Sequence, residues 1–203
     1  MTFPQTSPRN ATALTVAFFF VALPLADAGA ADAAAGKQKA AVCAACHGPE
    51  GNSQNPAIPV LAGQPAQMIA TQLFQFREGN RKDPQMSPMA EKLSNTEMND
   101  LAAYFASVKP VPTAYKTAPQ NAAAGAELTK KNNCVQCHGP TLHGQQHIPR
   151  LAGQQHDYLL AQLKLFKVGK RADMDGNMTS AAQPLNDKDI EVLADYLAGL
   201  SPY

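Results

Sequence analysis

The sequence predicts an all-α chain built from two copies of one unit. Three observations carry that reading. A set of short motifs recurs about midway along the chain, with Cys43 and Cys134 in matching positions 91 residues apart. Apolar residues repeat at helical spacing in every ordered-looking segment. No segment alternates with period two long enough to suggest a sheet. The chain has 203 residues and a formal net charge of +1. That balance excludes a strongly basic nucleic-acid binder and an acidic tail protein. Aromatics make up 6% and Trp is absent. A unit of 80 to 90 residues with so little aromatic mass would gain from an internal staple, as small domains do.

The first segment reads as an address. Residues Met1 to Asn10 are polar, an apolar run follows from Ala11 to Leu25, and Ala26-Asp27-Ala28 is a small-x-small pattern. This order marks a cleaved secretory signal peptide over 1–28. The run is short for a membrane anchor and holds Thr12, Thr15 and Pro24, whereas a span needs roughly 20 apolar residues. Export sends the mature chain to an oxidising compartment.

The first unit is expected over 29–108. Ala33-Ala34-Ala35-Gly36 leads into Cys43-Ala44-Ala45-Cys46-His47-Gly48, and Ile58-Pro59-Val60-Leu61-Ala62-Gly63-Gln64 follows. Ile69, Leu73 and Phe76 lie at helical spacing between Pro65 and Glu78, with Gly79 as the stop. Ser94-Asn95-Thr96-Glu97 is a capping box ahead of Met98, Leu101, Ala102 and Phe105. Lys109 to Pro119 carries Pro110, Pro112 and Pro119 and reads as a stiff linker over 109–119.

The second unit, 120–203, repeats the order. Ala122-Ala123-Ala124-Gly125 leads to Cys134-Val135-Gln136-Cys137-His138-Gly139, then Ile148-Pro149-Arg150-Leu151-Ala152-Gly153-Gln154. Leu159, Leu160, Leu163 and Phe166 form the matching helix between Tyr158 and Lys167. Asn186 caps the last one, with Ile190, Leu193, Ala194 and Leu197 behind it. The apolar stripes are core.

Both Cys pairs end in Cys-His, and they use every cysteine of the chain. Cys-x-x-Cys-His is the attachment signature of c-type haem. Two Cys three apart share one side of a helical turn, where their sulfurs reach the two vinyl groups of one haem edge. The adjacent His then turns its imidazole toward the iron. Cys43 and Cys46 are assigned to one haem with His47 as ligand, and Cys134 and Cys137 to the other with His138. A disulfide across so short a loop would constrain the unfolded chain little. A thioredoxin-like redox pair needs a βαβ setting. A zinc site would need ligand pairs closer in sequence unless the units shared it.

The sixth ligand separates a carrier from a catalyst, because a Met there gives a saturated iron of raised potential. Met86 and Met89 are available in the first unit, Met174 and Met178 in the second. Met86 precedes Leu93 by seven residues and Met178 precedes Leu185 by seven, so Met86 and Met178 are the matched pair. Both are read as lying in polar, Pro- and Gly-containing loops. Met68 and Met98 read as packing. Pro59 and Pro149 follow the motif His by 12 and 11 residues. Their carbonyls are candidates to accept the His Nδ1–H bond that orients the ring, the alternative being ordinary turn prolines. His143, His147 and His156 lack counterparts in the first unit; they read as peripheral, with axial ligation the alternative. Arg77, Arg81 and Arg171 are candidates to pair with haem propionates, or else solvated helix ends.

Taken together, the two Cys-x-x-Cys-His-Gly motifs, the two Ile-Pro-x-Leu-Ala-Gly-Gln segments, the Gln-Leu-x-x-Phe helices, the Met segments and the capped last helices resemble the cytochrome c4 family over essentially the whole mature chain. The resemblance implies two tandem class I cytochrome c domains related by a pseudo-twofold, with two covalently bound haem c groups facing across the interface. It implies Met86 and Met178 as distal ligands and the carbonyl role for Pro59 and Pro149. It implies an electron carrier rather than an enzyme, periplasmic and often peripherally membrane-associated. Its partners would be redox proteins such as a quinol-oxidising complex and a terminal oxidase. An electron-transfer subunit of a periplasmic dehydrogenase is the alternative. A dihaem peroxidase or thiosulfate-oxidising enzyme is a more distant one.

Overall fold

One helical order occurs twice in the chain. The structure, a computed structural model, describes residues 1–2 and 30–203. The signal-peptide reading of 1–28 therefore falls almost wholly on residues outside those described. In the first half run α1 (Ala33–Lys39), α2 (Ala44–His47), α3 (Ala66–Arg77), α4 (Met86–Ala90) and α5 (Asn95–Ser107). In the second run α6 (Pro119–Lys131), α7 (Cys134–His138), α8 (His156–Lys167), α9 (Asn177–Ala182) and α10 (Asp187–Ala198). Among the described residues the only β pairing is an isolated bridge between Gln145 and Ile148. No described helix is long and apolar enough to cross a membrane.

Capping explains where the last helices start. Ser94 Oγ accepts from the Glu97 N–H at 3.2 Å and Glu97 Oε2 accepts from the Ser94 N–H at 2.8 Å. Asn186 and Asp189 repeat this reciprocal arrangement at the head of α10. Each box satisfies two otherwise orphaned backbone donors.

The helices then bury the stripes visible in the sequence. In the first half Met68 and Ile69 of α3 meet Leu101, Ala102 and Phe105 of α5. In the second, Leu159 of α8 meets Ile190, Leu193 and Leu197 of α10. The entry helices cross the exit helices at the glycine of each Ala-Ala-Ala-Gly motif. A Cβ on Gly36 would stand 2.0 Å from the Asp100 carbonyl oxygen, and one on Gly125 2.2 Å from Tyr196 Cβ. The repeated glycine is thus a requirement of close backbone approach.

The proline-rich connector is fastened along its length rather than free. The Val111 N–H donates to Asn52 Oδ1 at 2.7 Å. Farther on, the Tyr115 hydroxyl donates to Asp195 Oδ1 at 2.6 Å, and the Ala118 N–H and the Asn121 side chain donate to Asp195 Oδ2 at 3.1 and 2.9 Å. Burial alone would raise the Asp195 carboxyl, but these donors outweigh it and hold it below the usual carboxylate range.

The two halves meet through their repeated heptapeptides. Gln64 Nε2 donates to the Arg150 carbonyl at 3.0 Å and Gln64 Oε1 accepts from the Arg150 N–H at 2.9 Å. Gln154 does the same to Val60, at 3.0 and 2.7 Å. Each glutamine amide pairs with the other half's backbone as a strand would, and the exchange is reciprocal about the pseudo-twofold. All four residues are buried, so the bonds face little competition from water.

Gly36→Ala and Gly125→Ala each lower stability by about 1–3 kcal/mol, read by denaturant unfolding; an unchanged midpoint would show that the helices can separate without loss. Gln64→Ala or Gln154→Ala leaves buried backbone groups unpaired, at about 1–3 kcal/mol apiece. The double variant should unfold in two steps rather than one, as followed by circular dichroism.

Candidate haem sites

The attachment motifs sit where an entry helix gives way to a short turn. In the first half a 3₁₀ turn (Ala40–Val42) brings the chain to Cys43, the cap of α2, and Cys46 and His47 close that helix. In the second, Cys134 opens α7 and Cys137 and His138 end it. Positions i and i+3 of a helical turn face one side, so each pair of thiols lies on one face with the His at its end. Gly48 and Gly139 then leave the helix at φ of 75° and 82°, a region that favours glycine. The four cysteines form no disulfide. One of each pair is exposed and the other half-buried, and burial pushes the Cys43 and Cys134 thiols up.

Both motif histidines are buried, and both are held by the prolines singled out in the sequence. His47 Nδ1 donates to the Pro59 carbonyl at 2.9 Å, and His138 Nδ1 to the Pro149 carbonyl at 2.8 Å. A carbonyl can only accept, so the proton lies on Nδ1 and Nε2 keeps its lone pair. Burial lowers both imidazoles, and the carbonyl bond offsets this only in part. The rings are therefore neutral near pH 7, the state a metal ligand requires. The proline loops are themselves braced: the Leu61 N–H donates to the Gly51 carbonyl and the Leu151 N–H to the Leu142 carbonyl, both at 2.8 Å.

Met86 and Met178 differ from the sequence expectation in one respect. They lie in the first turns of short helices, α4 and α9, rather than in loops. The reason is an aspartate that the sequence reading passed over. Asp83 Oδ1 accepts from the Met86 N–H at 2.9 Å, and Asp173 Oδ2 from the Met178 N–H at 2.8 Å. Each carboxylate satisfies free donors at a helix start, where negative charge is favoured. Met86 and Met178 are half-buried. Met89 and Met174 are 50% and 70% exposed.

The other candidates separate cleanly. Arg77 is used up at the end of α3, donating to the Leu93 carbonyl, Asn95 and Glu78. Arg81 and Arg171 instead meet between the halves. Arg81 donates to Gln72 Oε1 at 2.6 Å and Gln162 Oε1 at 3.1 Å, and Arg171 to the same two oxygens at 3.1 and 2.6 Å. Each guanidinium lies 4.5 Å from the centre of its own half's phenylalanine ring, Phe76 or Phe166. Tyr158 accepts from Arg81 at 3.2 Å. Burial would raise the phenol, but the two arginines outweigh it and bring Tyr158 down to about 8. Among the described residues neither arginine forms an ion pair with an acid, and Arg171 Nε is buried without a partner. His143 has both ring nitrogens near protein groups, Thr141 and Ser201. His156 stacks on Tyr115 and bonds Asp157, and His147 is exposed.

The chain as a whole is similar to known proteins. The Cytochrome c family profile matches residues 33–109 and 122–201. A cytochrome c4 of Thiocapsa roseopersicina is 41% identical over 84% of this chain and 93% of its own. A thiosulfate dehydrogenase electron acceptor of Thiomonas intermedia is 38% identical over 83% and 84% of the two chains. The crystal structure of reduced recombinant cytochrome c4 from Pseudomonas stutzeri superposes with a TM-score of 0.79 at 35% identity, covering 85% of this chain and all of that one. With two family matches in tandem and two Cys-x-x-Cys-His motifs, the chain carries two covalent haem c groups and belongs to the cytochrome c4 family of dihaem electron carriers.

Proposed function

We propose that Cys43 and Cys46 tether one haem, ligated by His47 and Met86, and that Cys134 and Cys137 tether the other, ligated by His138 and Met178. The observation that carries this reading is the buried, neutral imidazole of each half, its Nδ1 tied to a proline carbonyl so that only Nε2 is free. When bound, each haem supplies an iron that takes up and gives back one electron. The residues of the chain do the rest. The cysteines hold the group without an exchange equilibrium. Pro59 and Pro149 fix the ring plane and strengthen the histidine as a donor. Met86 and Met178 close the remaining position, so that no substrate binds there. Arg81 and Arg171, cationic and without an acid partner, would hold the propionate carboxylates between the halves.

The same reading makes the chain a periplasmic protein that loses its first 28 residues on export. It passes single electrons between membrane or periplasmic redox proteins, from a quinol-oxidising complex toward a terminal oxidase. A second reading, acceptance of electrons from a periplasmic dehydrogenase, is favoured by the relative named as a thiosulfate dehydrogenase electron acceptor.

Met86→Ala and Met178→Ala should each remove about half of the ferric Met–iron charge-transfer absorption, if each supplies one of two distal ligands. Rapid cyanide binding to the resting protein, or a mass corresponding to fewer than two haems, would overturn the assignment. Stopped-flow mixing separates the partners: fast oxidation of the reduced protein by oxidase-containing membranes supports the first reading. Fast reduction by thiosulfate dehydrogenase with thiosulfate supports the second.

A further inference from the structure

Arg150 is 2% exposed and is among the largest fully buried side chains of the protein. It occupies the variable position of the second Ile-Pro-x-Leu-Ala-Gly-Gln segment, where the first segment has Val60, itself 2% exposed. The glutamine clamp described above uses only the backbone of both residues, so it explains neither side chain. The Arg150 guanidinium donates to the Ala152 carbonyl of its own half and, at 2.8 Å, to the Ala62 carbonyl of the other. Ala62 and Ala152 hold corresponding places in the duplicated unit, so the charge lies between the halves, close to the pseudo-twofold. Its Nε has no partner. Among the described residues no acid pairs with it.

A buried cation that no acidic residue among those described pairs with is costly to keep, and the valine of the first half shows that the position can be filled without one. Burial pulls the guanidinium down to about 10, which leaves it charged at neutral pH. The residue also directly follows Pro149, whose carbonyl holds His138. Oxidation adds one positive charge to an iron centre, and a fixed cation in a low-dielectric interior opposes that addition over longer distances than water would allow.

We infer that Arg150 is a tuning charge placed between the two halves, which raises the reduction potential of both iron centres. The inference rests on the dihaem reading, and it concerns electrostatics rather than ligation. It requires only that the charge be kept, whereas a structural role would require the guanidinium's bonds to both carbonyls.

Potentiometric titration of Arg150→Met, Arg150→Gln and Arg150→Lys tests it. Haem count and the Met–iron band are recorded in each, and failure of the ligand assignment would already appear there in the unsubstituted protein. Both neutral variants should show both potentials lowered, with the equilibrium constant for reduction falling about three- to tenfold at each centre. The lysine variant should stay near the parent values. Arg150→Gln retains an N–H donor for a backbone carbonyl and serves if Arg150→Met does not fold. Unchanged potentials in a folded neutral variant would overturn the inference, as would an equal fall in the lysine variant.

Discussion

The hydrogen bond from each motif histidine to a proline carbonyl is the constraint on which the remainder of the structure turns. Without it the imidazole could rotate or change tautomer, and the nitrogen offered to a metal would not be fixed. The bond is made identically in both halves, at 2.9 and 2.8 Å. The proline belongs to a seven-residue segment with further duties. The next residue is the one that the other half's glutamine clamps, and the segment's final glutamine clamps the other half in return. The same short stretch therefore orients the site and builds the interface. One peptide group in each half, Pro59–Val60 or Pro149–Arg150, carries both the carbonyl that holds the histidine and the N–H from which the other half's glutamine accepts.

Much of this was legible in the sequence, and the reason is periodicity. The duplication marked the units, the capping boxes marked the starts of α5 and α10, and the apolar stripes marked the core. The Cys-x-x-Cys-His signal is local, so spacing alone located it. The proline carbonyls were legible because the repeat placed Pro59 and Pro149 at nearly equal separations from His47 and His138. The reciprocal glutamines were visible as a repeated motif, but their partners lie 86 and 94 residues away, and no local pattern encodes that pairing. Asp83 and Asp173 were missed for a different reason. Two extra residues separate Asp173 from Met178 relative to the first half, which hides the shared role until the backbone is seen.

The departures from symmetry are as informative as the repeats. Gly51 has a φ of 76° and Leu142, its counterpart, one of 60°. A Cβ at Gly51 would strike the Phe105 ring at 2.8 Å. In the second half Leu197 takes the place of Phe105, and the smaller side chain leaves room for Leu142, which is buried in that core. The second half thus accepts a leucine in a left-handed conformation that ordinarily costs about 1 kcal/mol or more, offset by the apolar area it buries. Val60 and Arg150 are the corresponding asymmetry at the interface, where the exchange introduces charge rather than shape.

The connector also limits how freely the halves move. Anchored at Asn52 on one side and Asp195 on the other, it leaves only a short stretch free to flex between the halves. Tunnelling probability decays exponentially with separation, so a pair of centres on a slack tether would exchange at a rate set by diffusion of the tether. Here the connector is tied at both ends, so any exchange between the two centres would not wait on the motion of a loose tether.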